Sequence, residues 1–540
     1  MPCTNGDPAA RHIKNRLINL QTSSEKSFAL AQKWLKECLE SHKDCRPGPW
    51  DPNFRPTRVI EILETSPSWR IRLFRPAAQV NYVALSYCWG GPQTMLTAKT
   101  EKAWETSLPW AELSQTIKDS VYVSAKLGFK YLWVDALCIV QDDMTDKMAE
   151  IAKMVHVYSA ATLTVASSSA AAATEGFLQD RKFTDFPSQV FELPVRCPDG
   201  QLGSATLFRP PPSTPLTSEP LNARGWALQE RLLSSRILDF KKLQLRWTCE
   251  TLPLNHVQSY SDGWNNHVED TVFIVDSSED PHSIWRRMVY AYTLRNLTVA
   301  TDRILAISGI AEVLSRGIEG EYWAGLWESN LPLCLMWKST PVDSEYSSGS
   351  KSATLVPRPP TYQGPSWSWV SVNTRTHYRG FTTNDVDIHI EVLGCDIELV
   401  DERAMYGAVK GAQLRIRGRT RVGMLHYTPA IVRQNKSWWK LDAGLANGNA
   451  YATGDALEPE FASPTLSPIR VHLLEVMRRV DMLNDRAGDA ISEGLILRHL
   501  TSEQYSRLGT FGFYTDAMPA LKISQNTWFD GCDEEILCLI

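Results

Sequence analysis

Between Tyr82 and Ser167 the chain alternates short apolar runs with amphipathic stretches in a fixed order, and that order restricts the fold more than any other feature. Tyr82 to Cys88 is an apolar run that ends at Gly90-Gly91. Leu113, Ile117, Val121 and Leu127 then recur at helical spacing, with Ser114 in an N-cap position and Gly128 as a C-terminal stop. Tyr131 to Val140 is almost continuously apolar, as in a strand buried on both faces, and it carries Asp135 inside it. Asp142, Asp143 and Thr145 open a second helix whose inner face is Met148, Ile151, Val155 and Tyr158, with Glu150 on the opposite, solvated face. Thr162 to Ser167 completes the series. Parallel neighbours need long crossovers, and strand, helix, strand, helix, strand supplies them. An α/β parallel sheet is expected, with these three runs as adjacent strands.

The remainder of the 540 residues exceeds what one core can organise. Phe28 to Cys45 reads as a helix followed by a loop, with Trp34, Leu35 and Cys38 on one helical face and Pro47 as the stop. After a Pro-rich linker from Arg209 to Pro220, Arg224 to Leu233 is helical, and Ile237–Phe240 with Leu243–Trp247 suggests a hairpin. Ile284 to Leu314 is helical and Pro357 to Trp369 extended. From His389 the pattern turns to alternation, with strands expected at Gln413–Arg419, Ile469–Leu474, Gly494–Arg498 and Ile536–Ile540 and a flexible loop at Leu445–Ser467. Four regions follow: a helical leader (1–57), the parallel-sheet domain (58–250), a helical and Pro/Trp-rich connection (251–385) and a β-rich C-terminal unit (386–540).

Apolar residues at 43% and charged residues at 22% are a globular composition. A formal charge of −5 gives no electrostatic reason to expect nucleic acid as a partner. Met1 to Ser27 is polar, and no run of membrane-spanning length is apolar throughout. Eleven scattered cysteines fit a reducing compartment, so a soluble cytoplasmic or nuclear protein is expected. Motifs for a serine-hydrolase elbow, a P-loop, a Rossmann dinucleotide site and a zincin are all missing.

Three stretches stand out: Tyr82-Val-Ala-Leu-Ser-Tyr-Cys-Trp-Gly90, Tyr131-Leu-Trp-Val-Asp-Ala-Leu-Cys-Ile-Val-Gln141 and Arg224-Gly-Trp-Ala-Leu-Gln-Glu-Arg231. In this order they resemble the blocks of the fungal heterokaryon-incompatibility (HET) domain, with a trivial departure at Val140. Trp34-Leu35 with Cys38, His42 and Cys45 resembles the leader often found before that domain. Tyr322-Trp-Ala-Gly-Leu-Trp327 and Pro365-Ser-Trp-Ser-Trp369 resemble the segments that follow it. The resemblance implies a parallel-sheet HET domain, compared with TIR domains, and an effector of non-self recognition and programmed cell death. It also implies a protein partner or sensor. Some TIR domains cleave NAD with a glutamate, which makes NAD a candidate substrate and Glu230, Glu150 and Glu175 the candidate acids.

In an open parallel sheet ligands bind outside the carboxyl ends of the strands. Those ends carry Trp89, Gly90 and Gly91, then Gln141, Asp142 and Asp143. In the third block Trp226, Gln229 and Glu230 share a helical face suited to a nucleobase and a ribose diol, and Arg224 and Arg231 form a stripe suited to phosphate or carboxylate. Glu230 is the favoured acid because its block also supplies an aromatic ring and two arginines. Asp135 is the alternative, although pairing with Arg224 or Arg231 would make it structural. Cys38, His42 and Cys45 have zinc-like spacing but lack a fourth ligand, so packing without metal is expected. Cys88 and Cys138 read as core thiols. Two other classes of function remain: a non-catalytic interaction module, and a HET-like enzyme of fungal secondary-metabolite biosynthesis.

Overall fold

The computed structural model describes residues 3–4, 6–13, 19–43, 45, 53–181, 190–208, 219–242, 244–251, 256–257, 279–340, 355–378, 385–426, 439–442, 450–458, 468–480, 490–501, 503–512 and 529–540. Two compact units divide the chain, Met1–Asp276 and Ser277–Ile540.

In the first unit the apolar runs become the middle of a mixed sheet. Its strands are β1 (Val59–Glu64), β2 (Arg70–Phe74), β3 (Tyr82–Ser86), β4 (Tyr131–Trp133) and β5 (Leu163–Ala166). A separate hairpin, β6 (Val190–Arg196) and β7 (Leu202–Phe208), precedes β8 (Arg236–Phe240), β9 (Leu245–Cys249) and β10 (His256–Val257). The sheet order is β10-β9-β8-β5-β3-β4-β1-β2. β3 is the central strand, and all five of its residues are buried. It runs parallel to β4, with Val83 opposite Leu132, and parallel to β5, with Val83 opposite Leu163. β5 is parallel to β8, while the outer strands on both sides are antiparallel. The three expected strands are therefore parallel neighbours in one sheet.

The helices are α1 (Glu25–Ser41), α2 (Glu101–Trp104), α3 (Gln115–Lys126), α4 (Asp135–Cys138), α5 (Met144–Ala152), α6 (Met154–Ala160) and α7 (Gly225–Leu233). Gly128 ends α3 as expected, at φ +85°, with Phe129 N–H returning to the Ser124 carbonyl at 2.9 Å. Ser114 takes the N-cap backbone conformation of α3 without a side-chain cap bond.

Two expectations need correction. Tyr131–Val140 is not one strand: pairing stops at Trp133, and Leu137 and Cys138 N–H groups turn back to the Val134 carbonyl at 3.0 and 2.8 Å. Residues 136–140 are buried because this turn packs inside, and an apolar run does not by itself distinguish a strand from a buried helical turn. Asp135 thus opens α4 rather than lying within a strand. The second helix is also split at Lys153, which rotates its faces. Met148 and Ile151 are half-buried, whereas Glu150 is buried and accepts bonds from Thr57 Oγ1 and Lys153 Nζ, both at 2.7 Å.

In the second unit, helices Pro281–Thr293 and Leu305–Leu314 accompany a largely antiparallel sheet. Its long strand Val409–His426 pairs with Ile390–Leu399, Ile469–Val480 and Glu534–Leu539. All four strands expected in the C-terminal third are present, three of them within longer ones and the last as Glu534–Leu539, one residue short of the expected end. The loop expected at Leu445–Ser467 contains a strand, Ala450–Gly454, paired with Gln504–Gly512, since alternation over five residues is too short a signal to find it. The rest of that loop beyond residues 450–458, and most of the Pro-rich linker Arg209–Pro220, lie outside the described residues.

One ion pair fixes α7 to the sheet. Arg231 Nη2 meets Asp239 Oδ2 on β8 at 2.8 Å, and the Asp239 side chain has no solvent exposure. Removing one partner of such a pair leaves a buried charge uncompensated. Arg231→Met is expected to destabilise the first unit by about 3–5 kcal/mol in urea unfolding, whereas a surface pair would lose less than about 1 kcal/mol.

Candidate active site

The carboxyl ends of β3 and β4 and the first turns of α7 bring three ionisable side chains together. Glu230, on the buried face of α7, is 3% exposed, and its Oε2 accepts a hydrogen bond from Ser86 Oγ at 2.5 Å. Asp135, at the start of α4, is half-buried; Oδ2 accepts from Trp89 Nε1 at 2.9 Å and Oδ1 from the Ala136 N–H at 2.7 Å. Arg224 precedes α7, donates from Nη1 to the Tyr87 carbonyl, and stands in the field of both carboxylates.

Burial raises the Glu230 carboxyl from its ordinary 4.5 to about 6, against the opposing pull of Arg224 and the Ser86 hydroxyl. The Asp135 carboxylate adds to the rise, since like charges disfavour one another. Asp135 is itself lifted above the usual carboxylate range by burial, with Arg224 and the Trp89 N–H holding it down. Burial also pushes Cys88 up to about 11, so it rests as a thiol. Asp239 behaves oppositely: burial pulls it up, but Arg231 and Lys241 outweigh that and leave it low.

The other candidates have more local tasks. Gln141 Nε2 donates to the Asp135 and Ile139 carbonyls at 3.1 and 3.3 Å, bracing the turn that carries Asp135. Asp142 accepts from the Ala98 N–H at 2.8 Å, and Asp143 caps α5 through the Thr145 and Asp146 N–H groups. Gly90, at φ +66°, needs to be glycine for two reasons: a Cβ there would lie 2.3 Å from the Ala172 Cβ, and the backbone is left-handed. Its close approach is to Ala172, whereas Gly91 faces open space. Trp226 is half-buried and Gln229 buried on α7. Arg231 binds Asp239 and also reaches Ser168 Oγ at 3.2 Å, while Arg224 is the guanidinium whose charge acts on Asp135. Glu150 sits in its own pair with Lys153, and exposed Glu175 accepts the Ala171 N–H at 2.7 Å.

Ser86, Tyr87 and Tyr158 belong to the site but carried no sequence motif of catalysis. A signal for Ser86 was available: it is a hydroxyl in a strand buried along its whole length, where a polar group needs a partner. Tyr158 OH donates to the Leu85 carbonyl at 3.1 Å, and its own ionisation is driven far upward by burial and then by the Glu230 charge.

A protein-family model described as heterokaryon incompatibility protein (HET) matches residues 82–230, from the first residue of β3 to Glu230 itself. The match is confined to this stretch of the first unit, and a HET domain implies, at the level of the family, a function of the heterokaryon-incompatibility type. No curated protein and no solved structure matches the chain. Among the described residues no helix is long and apolar enough to cross a membrane.

A testable pH dependence follows from Glu230. Its folded value lies above its ordinary one, so the unfolded chain ionises first as pH rises. The penalty is absent below about 4.5 and complete above about 6, and amounts to about 2 kcal/mol. Urea unfolding of wild type at pH 4.5 and pH 7.5, compared with Glu230→Gln, is expected to show the wild type losing about 2 kcal/mol more across that interval.

Proposed function

We propose that this HET-domain chain is an effector of fungal non-self recognition and programmed cell death, acting inside the cell and engaged by a protein partner or sensor. Its HET domain would act by cleaving the bond between nicotinamide and ribose in NAD, with Glu230 as the catalytic carboxylate. The observation that carries this reading is the convergence of Glu230, Asp135 and Arg224 at the carboxyl edge of a parallel sheet, with Glu230 lifted to about 6.

The chemistry needs little more. The nicotinamide nitrogen of NAD is already cationic, so the glycosidic electron pair leaves with neutral nicotinamide and no acid is needed. Positive charge then develops on the ribose, and ionised Glu230 stabilises it. Water adds to the anomeric carbon, and its proton passes to solvent. Arg224 matches the pyrophosphate, and the half-buried ring of Trp226 suits stacking with a base. The resemblance to TIR domains, some of which cleave NAD with a glutamate, would give Glu230 the same role.

A second reading draws on the same burial. A Glu230 side chain 3% exposed and bonded to Ser86 also suits a brace between α7 and β3 in a non-catalytic interaction module. Kinetics separate the two. Purified chain incubated with NAD is expected to release nicotinamide at a rate that rises with pH through about 6 and then levels, as Glu230 ionises. Glu230→Gln is expected to cut turnover about a hundredfold or more while the protein stays folded. Expressed in a fungal host, the same variant should lose cell-death induction. Retained killing by a folded Glu230→Gln protein would reject the catalytic role and favour the module.

A further inference from the structure

We propose that Cys38, His42, Cys45 and Cys249 form a structural zinc site that ties the leader helix to the end of β9. The leader offers only three ligands in sequence, and the fold supplies the fourth from more than two hundred residues away. One ligand atom from each of the four side chains lies within 4.8 Å of all the others. His42 Nδ1 is 3.8 Å from Cys45 Sγ and 3.6 Å from Cys249 Sγ. In a tetrahedral zinc site, sulfur and nitrogen ligands stand about 3.6 Å apart and two sulfurs about 3.8 Å. The side chains are thus close to ligating positions.

Local structure explains the convergence. α1 ends at Ser41, and His42, as its C-cap residue at φ −91° and ψ 107°, turns out of the helix. Cys38 projects from the last turn of α1, and Cys45 follows in the loop. Cys249 is the last residue of β9 and lies opposite Arg236 of β8. Trp34 of α1 against Trp247 of β9, at 6.4 Å between rings, already joins the same two elements.

The three sulfurs sit among polar donors. Cys38, Cys45 and Cys249 are 0%, 0% and 3% exposed, yet their sulfurs receive polar donors rather than hydrocarbon alone. The Thr251 N–H points at Cys45 Sγ at 3.3 Å, and Arg236 Nε at Cys38 Sγ at 3.2 Å. Such N–H bonds to sulfur are the outer shell expected around a metal–thiolate centre. Charge gives a further argument. Arg236 is 2% exposed, and its bonding partners among the described residues are the Cys38 sulfur and the carbonyls of Thr162 and Cys45, with no carboxylate among them. A buried guanidinium without a counter-charge is costly. Three thiolates and one Zn²⁺ carry a net charge of minus one, which supplies it. Four protein ligands leave no open position, so the site holds structure and performs no chemistry. A second trio, His12, Cys197 and Asp199, offers three ligands among the described residues, two of them exposed, and serves as the control.

The test uses the full chain purified under reducing conditions. Elemental analysis is expected to find about one zinc per chain. Exchange for Co²⁺ should produce a sulfur-to-cobalt charge-transfer band and the intense visible bands of a tetrahedral site. Cys249→Ser is expected to lose the metal or bind it at least tenfold more weakly, whereas Cys197→Ala should keep it. Chelation by a strong zinc ligand should lower the melting temperature of wild type. Should Cys249→Ser fail to fold, the cobalt spectrum of wild type decides alone. Folded wild type that takes up neither zinc nor cobalt would overturn the proposal, as would a Cys38–Cys249 or Cys45–Cys249 disulfide in protein alkylated before unfolding.

Discussion

A carboxylate taken out of water loses hydration worth several kcal/mol, and Glu230 recovers it only from the Ser86 hydroxyl, the charge of Arg224 and its neighbours at the edge of the sheet. Much of the first unit can be understood from that requirement. Arg224 must precede α7 so that its guanidinium reaches the Tyr87 carbonyl and both carboxylates. β4 must stop after three residues so that Asp135 turns up beside Trp89 instead of continuing along the strand. Even the Arg231–Asp239 pair contributes, since it ties α7 to β8 and so helps to hold Glu230 at its depth. The three family blocks are therefore one electrostatic assembly divided among three segments of the chain.

The tryptophan-rich segments beyond the HET match serve packing instead. In the second unit, Trp285 and Trp369 both donate to the Gly325 carbonyl, at 3.1 and 2.9 Å, and Trp337 donates to the Trp367 carbonyl at 2.9 Å. Trp285, Trp337, Trp367 and Trp369 have no solvent exposure. Large rings with one N–H each can be buried wherever a carbonyl is left to receive it, and Gly325, at φ +98°, exposes one between two of them. The motif Tyr322–Trp327 and the motif Pro365–Trp369 are thus two halves of a core.

The sheet was legible because β3, β5 and α3 follow simple periodicities, and Gly128 marks a stop that only a left-handed residue satisfies. What the sequence misrepresented were places where burial and extension diverge. Residues 136–140 are apolar because they are inside, not because they are a strand, and Glu150 is charged yet buried because Lys153 and Thr57 reach it. In the site, Glu230, Arg224 and Asp135 were identifiable as a group, but the partner of Arg231 was not. Asp239 lies eight residues further on in a strand, and sequence spacing across a helix and a strand predicts no contact. Cys249 escaped notice for the same reason, being remote in sequence from the leader that it meets.

A catalytic role for this edge of the sheet requires Glu230 to be a carboxyl that ionises late. Infrared difference titration of wild type minus Glu230→Gln isolates its carbonyl band from those of the other acids. That band is expected to disappear with a midpoint of about 6. A midpoint at or below the ordinary 4.5 would mean that Glu230 is held ionised as part of a closed ion pair, and would contradict the reading of this edge of the sheet as an active site.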